Sequence, residues 1–312
     1  MDKAYAAKKT VKRRSPDSTL ARMSKWKVSY FFIAPFVLIF FMFTVLPILI
    51  SLFLSLTSFD MIQAPKFIGL DNYIRMFFED DVFLIAVKNT LILAVILGPV
   101  GYLLSLLFAW FINELRPWLR ALVTLIFYAP SISGNMYVIW KIIFSGDSYG
   151  YANGILQTLG IINEPILWLK NTQYMMGIVI VVGLWASLGT SFLAFIAGFQ
   201  GVDRSYYEAA SVDGITNRWQ ELWFVTLPLM RPQMMFSAVM SITSAFGVGA
   251  MINQLIPFPS TDYAVHTIQN HLEDYGGLKY EMGYASALAT VLFLMMFLSN
   301  LVIKKLITKV GE

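Results

Sequence analysis

An all-α, polytopic bundle of six membrane-spanning helices is the fold class this sequence predicts, and three features predict it. Hydrophobic residues make up 57% of the 312 positions and charged ones 13%, with a mean hydropathy of +0.65, whereas soluble domains carry roughly 25% charged residues. Apolar runs recur that reach the ~20 residues a helix needs to cross a bilayer. The basic residues then fall on alternate sides of those runs, as the positive-inside bias requires.

Residues 1–29 form a basic arm, and Met1 to Lys27 alone hold nine of the 23 Lys and Arg residues. Such an arm can bind nucleic acid. With an apolar run starting directly behind it, anchoring on an anionic membrane surface accounts for it better, and no nucleic-acid partner is expected. The run over 30–56 exceeds the ~7–15 residues of a signal-peptide core and has no small-x-small cleavage site, so it is expected to stay as the first span. The remaining spans are predicted at Leu84–Phe111, Arg120–Phe144, Tyr174–Phe199, Gln233–Gln254 and Gly283–Ile307, within a transmembrane domain covering 84–307, and residues 308–312 form a short tail. Pro35, Pro47, Pro99 and Pro130 fall inside spans and predict kinks, since neighbouring helices can satisfy the freed backbone groups.

Direction follows from charge. With the N-terminus inside, the arm, the turn "NELRPWLR", the loop over 200–232 and the end of the chain with Lys304, Lys305 and Lys309 hold 17 of the 23 basic residues; the other side receives six, with 11 of the 19 acids. Both termini are therefore expected to face the cytoplasm.

The segment "YYEAASVDGITNRWQELWFVTLPLMRP" is the polar exception between two apolar runs, and it reads as a helix-turn-helix. Asp203 or Ser205 can cap "SYYEAASV", Asp213-Gly214 is a stop-and-turn signal, and Asn217 can cap "NRWQELWFV". Trp219, Leu222 and Trp223 share one apolar face at helical spacing. Two roles suit such a hairpin: an amphipathic segment lying on the lipid surface, or a rigid element held in a partner's groove.

"EAASVDG" followed by "VTLP" resembles the EAA motif of permease subunits of binding-protein-dependent ABC importers, with Glu208, Ala209, Ala210, Gly214, Val225, Leu227 and Pro228 in the motif positions. Ten residues, Ile215–Phe224, separate the glycine from the apolar position, one more than the family's usual spacing; the extra residue is expected at the turn near Thr216 and Asn217. "FIGLDNYIRMFFEDDVFLIAVKNTLIL", "YAPSISGNMYVIWKIIF" and "MGYASALATVLF" extend the resemblance, from about Tyr30 to Lys304, to the sugar-type (carbohydrate uptake) permeases. The resemblance implies a second permease, two cytosolic ATPase subunits, an extracytoplasmic solute-binding protein and a carbohydrate substrate, in a bacterial or archaeal cytoplasmic membrane. It implies that Glu208, Ala209, Ala210, Asp213 and Gly214, with Val225, Leu227 and Pro228, form a coupling loop gripped by an ATPase. The Gly-Gly-Pro that such permeases often carry after span five is replaced here by "LIPFPSTDYAVHT".

Other chemistry is thin. The absence of cysteine excludes disulfides and thiolate sites. No G-x-x-x-x-G-K-[ST] occurs, so ATP is expected on partner subunits and no cofactor on this one. His266 and His271, near Glu273 and Asp274, are set on different faces by their spacing of five and read as ordinary loop polarity, with no metal expected. An ion-coupled carrier needs ionisable groups deep in its spans, and no acid lies at a span centre. For a sugar path, hydroxyls, amides and aromatics are wanted: Tyr128, Ser131, Ser133, Asn135 and Tyr137 in span three, and Ser241, Ser244, Asn253 and Gln254 in span five. Ser and Thr also glue membrane helices together, which is the competing role. A non-sugar solute remains open. The loops Thr57–Phe83 and Leu255–Met282 are candidate docking surfaces for the binding protein.

Overall fold

The computed structural model describes residues 26–133 and 136–307; residues 1–25 of the basic arm, Gly134, Asn135 and the tail fall outside the described residues. The chain divides between Ile50 and Ser51 into two compact units. In the first, α1 (Lys27–Phe40) passes through a π turn at Phe41–Val45 and continues as α2 (Leu46–Leu54), which runs across the division. Val28–Leu54 has the length and apolarity of a span.

The second unit opens with a local exception to the all-α expectation, the antiparallel pair β1 (Thr57–Ser58) and β2 (Lys66–Phe67). Asn72 in α3 (Asp71–Phe78) donates to the carbonyls of Ser55 and Thr57, each at 2.9 Å, and holds the pair in place. Asp80 caps α4 (Asp81–Asn113), accepting the Phe83 N–H at 3.0 Å. Then come α5 (Pro117–Ile132), α6 (Tyr137–Ile143) and α7 (Tyr151–Thr158). The helices α8 (Thr172–Ala186) and α9 (Thr190–Gly201) follow, and α10 (Arg204–Val212), α11 (Arg218–Glu221) and α12 (Leu227–Leu229) build the polar hairpin. The last elements are α13 (Arg231–Phe246), α14 (Gly249–Leu255), α15 (Ile268–Glu273) and α16 (Met282–Ile307).

Among the described residues, Asp81–Asn113, Thr172–Gly201 and Met282–Lys305 share with the first helix the length and apolarity of a span, and α13 with α14, bent by 49°, has them as a pair. The predicted third span, Arg120–Phe144, is not one helix. Its apolar helix is the short Pro117–Ala129, and helix ends at Ile132 before α6 restarts at Tyr137. The sequence at the break explains it: Pro130 has no N–H to give, and Ser131 turns its hydroxyl to the Leu188 carbonyl at 3.2 Å.

The long α4 is the axis of this unit, packed most extensively on α13 and α9. Leu93 and Leu97 of α4 meet Met175, Val179 and Val182 of α8 and Met251 and Ile252 of α14 in one core cluster. Towards the polar hairpin, Trp110, Phe192, Phe195 and Phe199 pack on Leu222, Leu227 and Met230. At the opposite end Met76 and Phe83 pack on Ile268, Tyr284 and Leu288. The stretch between α6 and α8 is folded back on a single amide. Asn153, fully buried, donates to the carbonyls of Ser145, Asp147 and Ile166, each at 3.1 Å. Its oxygen accepts the Ile166 N–H at 3.1 Å and the Trp168 indole N–H at 2.8 Å.

Candidate functional site

The break in span five shapes a cavity of about 320 Å³, with Tyr137, Ser187, Ser191, Ser241, Ser244 and Gln254 on its wall. Among the described residues no acidic, basic or histidine side chain lines it; its polar groups are hydroxyls, one amide and backbone. Gly247 ends α13, and Gly249 starts α14 where a Cβ would sit 2.8 Å from both Gln269 Cβ and Thr267 Oγ1. Glycine there lets α15 lie against the bend.

Of the solute-path residues read from sequence, Tyr137, Ser241, Ser244 and Gln254 meet at this cavity. Ser241 also fills the competing role. Ser191 Oγ lies 3.1 Å from the Ser237 carbonyl and 3.0 Å from Ser241 Oγ, while Ser237 donates to the Ser191 carbonyl at 3.2 Å, a polar seam joining α9 and α13. Asn253 is turned away: its amide donates to Glu273, its oxygen accepts from Asn270 at 2.7 Å, and it lines a separate cavity of about 550 Å³ with Lys141 and Lys170. Tyr128, Ser131 and Ser133 do not line the first cavity, and Asn135 lies outside the described residues.

The polar hairpin is a helix-turn-helix built on the expected caps. Asp203 accepts the Ser205 N–H at 2.8 Å and Asn217 the Gln220 N–H at 2.9 Å. At the end of α10, Ile215 N–H reaches back to the Ala210 carbonyl at 3.0 Å and Gly214 N–H to that of Ser211 at 3.3 Å, a Schellman closure. Gly214 takes φ +92°, which a side chain resists. Glu208, Ala209 and Asp213 are exposed, whereas Ala210 is buried, so only one of the two alanines faces outward. Glu208 pairs with its own Arg204 at 3.2 Å. Val225 and Leu227 are buried and Pro228 is half-buried, anchoring the hairpin to the bundle.

One expectation for this segment is corrected. The shared apolar face is split: Leu222 is buried, but Trp223 is exposed and the exposed Trp219 lies against Trp110 at 4.7 Å between ring centroids. The turn at Thr216–Asn217 is also not the only irregularity. Leu222–Thr226 forms a π turn, in which Leu227 N–H bonds the Leu222 carbonyl five residues back. A π turn holds one residue more than an α turn, so the hairpin carries a second irregularity beside Val225.

The histidines are likewise not loop polarity. His266 precedes α15 and His271 lies on it, both are 2% exposed, and His266 Nε2 is 3.2 Å from His271 Nδ1. His271 Nε2 is 2.9 Å from Asp80 Oδ2, which also accepts the Tyr284 hydroxyl at 2.7 Å. A carboxylate only accepts, so His271 donates to Asp80 from Nε2. Arg75 lies over the Tyr284 ring at 4.5 Å and bonds Glu281 at 2.5 Å. Sequence spacing hides this network because Asp80 stands far upstream of its partners. Burial would raise the Asp80 carboxyl, but hydrogen bonds from Tyr284, His271 and the Phe83 N–H outweigh it and hold it below the usual range. Burial, helped by the charge of His271, pushes His266 down from 6.5 to about 4.

His266 thus stays neutral in the fold across an interval where an unfolded chain takes up a proton. Its contribution to stability is complete above about pH 6.5 and falls away as pH drops toward 4. In detergent, the unfolding midpoint is expected to decline over that interval by the equivalent of about 1–3 kcal/mol. In His266→Gln the decline should flatten; an unchanged pH profile would contradict the buried neutral imidazole.

Residues 101–311, holding the bent span, the hairpin and the cavity walls after α4, match the sequence model of the binding-protein-dependent transport system inner membrane component. The chain belongs to that family. This family member is 34% identical over 290 residues to the probable ABC transporter permease protein YesP of Bacillus subtilis, covering 88% of this chain and 89% of that one. It is 32% identical over 231 residues to the lactose transport system permease protein LacF of Rhizobium radiobacter, covering 73% and 75%. The solved bacterial ABC transporter involved in import of the acidic polysaccharide alginate has the same fold, with a TM-score of 0.76 at 22% identity over 94% of this chain and 99% of that one. The inner membrane component is therefore a multi-pass, mostly helical membrane protein.

Proposed function

We propose that this protein is the permease subunit of an ABC importer for a carbohydrate, most simply an oligosaccharide. The observation that carries the reading is the cavity at the bend of span five, walled by hydroxyls, an amide and a tyrosine, and without a charged side chain among the described residues. A neutral, hydroxyl-rich solute exchanges hydrogen bonds with such a wall, while an ion-coupled carrier needs ionisable groups there. Relatives named for lactose and arabinooligosaccharide transport support the same class.

In this reading the chain crosses a bacterial cytoplasmic membrane six times with both termini inside, α5 and α6 making the third crossing in two pieces. It forms half of the path with a second permease. A solute-binding protein docks outside, as the alginate importer's does in complex with its pentasaccharide-bound periplasmic protein. Two ATPase subunits bind the ATP and hold the α10–α11 hairpin, with Glu208, Ala209 and Asp213 facing them and Gly214 fixing the turn. The chain itself is no enzyme and carries no cofactor.

Reconstituted with its partners in proteoliposomes, the complex should take up labelled oligosaccharide only with ATP inside, and collapsing proton and sodium gradients should leave uptake intact. Uptake that follows an ion gradient would overturn the assignment. Gln254→Ala is expected to slow uptake about fivefold, the effect of one lost hydrogen bond, read as initial transport rate at saturating binding protein.

A further inference from the structure

The first helix of the hairpin and the π turn that leads toward span five are joined by a hydrogen-bond chain with a forced direction. Thr226, 3% exposed, sits at the end of the π turn, and its Oγ1 donates to the Glu221 carbonyl at 3.1 Å. That uses its one proton. The Tyr207 hydroxyl, 3.0 Å from the same Oγ1, must then be the donor to it. Tyr207 stands on α10 next to Glu208, and Thr226 lies between the two buried anchors Val225 and Leu227. The extra residue of the π turn is what separates Thr226 from Glu221 by five positions and brings the carbonyl under the hydroxyl. From Glu221 the path continues: its carboxylate bonds Arg218 at 2.7 Å, and Arg218 reaches Glu114 at the end of α4 at 3.3 Å. Exposed ion pairs of this kind hold little by themselves; the buried hydroxyl relay is the stiff link.

We propose that Tyr207 and Thr226 are positioning residues of the coupling loop, locking α10 to the π turn so that a pull on α10 moves the start of span five with it. The proposal rests on the reading of the hairpin as the ATPase-coupling element. Without the relay, α10 pivots on the Gly214 turn and ATP is spent without moving span five.

The test uses the whole importer in proteoliposomes, comparing Tyr207→Phe, Thr226→Val, the double variant and Thr226→Ser with the unaltered complex. The readouts are co-purification of the ATPases and ATP hydrolysed per solute imported. Tyr207→Phe and Thr226→Val should each retain the ATPases yet raise ATP per solute about threefold or more. The double variant should be no worse than either single, because one relay is cut in each, and Thr226→Ser should behave as the unaltered protein. A purely structural role would lower yield without changing the ratio. If Thr226→Val does not assemble, Tyr207→Phe, which removes one oxygen from a half-buried site, decides alone. An unchanged ratio in Tyr207→Phe, while Glu208→Lys uncouples, overturns the relay and leaves the coupling loop standing. An unchanged ratio in Glu208→Lys overturns the coupling loop, and the relay with it.

Discussion

Glu208→Lys should leave the protein folded and inserted but cut ATPase stimulation by loaded binding protein at least about tenfold, the effect of losing roughly 1.4 kcal/mol at a charged contact. The fold has little stake in this side chain. It is 69% exposed, and its single ion pair, to Arg204 within the same helix, is itself exposed; such pairs contribute about 0.5 kcal/mol or less. What changes is the face presented by α10. A carboxylate between Ala209 and the Tyr207 relay becomes an ammonium, and any basic group on the ATPase that met it is now repelled. Stimulated hydrolysis in proteoliposomes, with thermal unfolding of the purified complex as the folding control, is the measurement. Full stimulation in a well-folded complex would remove Glu208 from the interface.

The second large effect is expected far from the hairpin. Gly283 lies at the start of α16, where its N–H donates to the Phe59 carbonyl at 3.0 Å. A Cβ there would stand 2.1 Å from the Thr57 carbonyl oxygen and 3.0 Å from the Phe59 nitrogen. Both obstacles are backbone, held by Asn72 through the carbonyls of Ser55 and Thr57, so neither can swing aside as a side chain would. Overpacking of this kind costs about 3 kcal/mol or more, and Gly283→Ala should sharply reduce the amount of folded protein in the membrane. Gly277→Ala, where no atom lies within 4 Å of the added carbon, is the matched control and should behave as the unaltered chain. Equal yields of the two variants would contradict the close approach of α16 to β1.

What could be read in advance divides along physical lines. Spans such as Asp81–Asn113 were legible because hydropathy sums over many residues, and no single side chain decides them. Pro130 was legible as a kink, but the full interruption after Ile132 and the bend at Gly247 were not, because averaging over a window hides the effect of a single residue. The hairpin caps Asp203 and Asn217 and the Gly214 turn were legible, since capping is local and residue-specific. The π turn was not legible, since nothing in the local composition marks it. Contacts between distant segments were out of reach: Asp80 finds His271 and Tyr284 only once α4, α15 and α16 have packed, and Asn253 turns to Glu273 for the same reason.

The amide at position 153 has a consequence for chemical ageing. Asn153 is followed by Gly154, the dipeptide in which a side-chain amide is most readily attacked by the next backbone nitrogen, losing ammonia. Here that nitrogen is occupied, donating to the Gly150 carbonyl at 2.8 Å, and the amide is gripped from five sides. Were the conversion to aspartate to occur, an amide whose two protons are shared among three carbonyl oxygens would become an acid facing them. The same grip that shapes the stretch therefore shields its weakest covalent point, and slow spontaneous damage there should begin only in molecules whose segment has already opened.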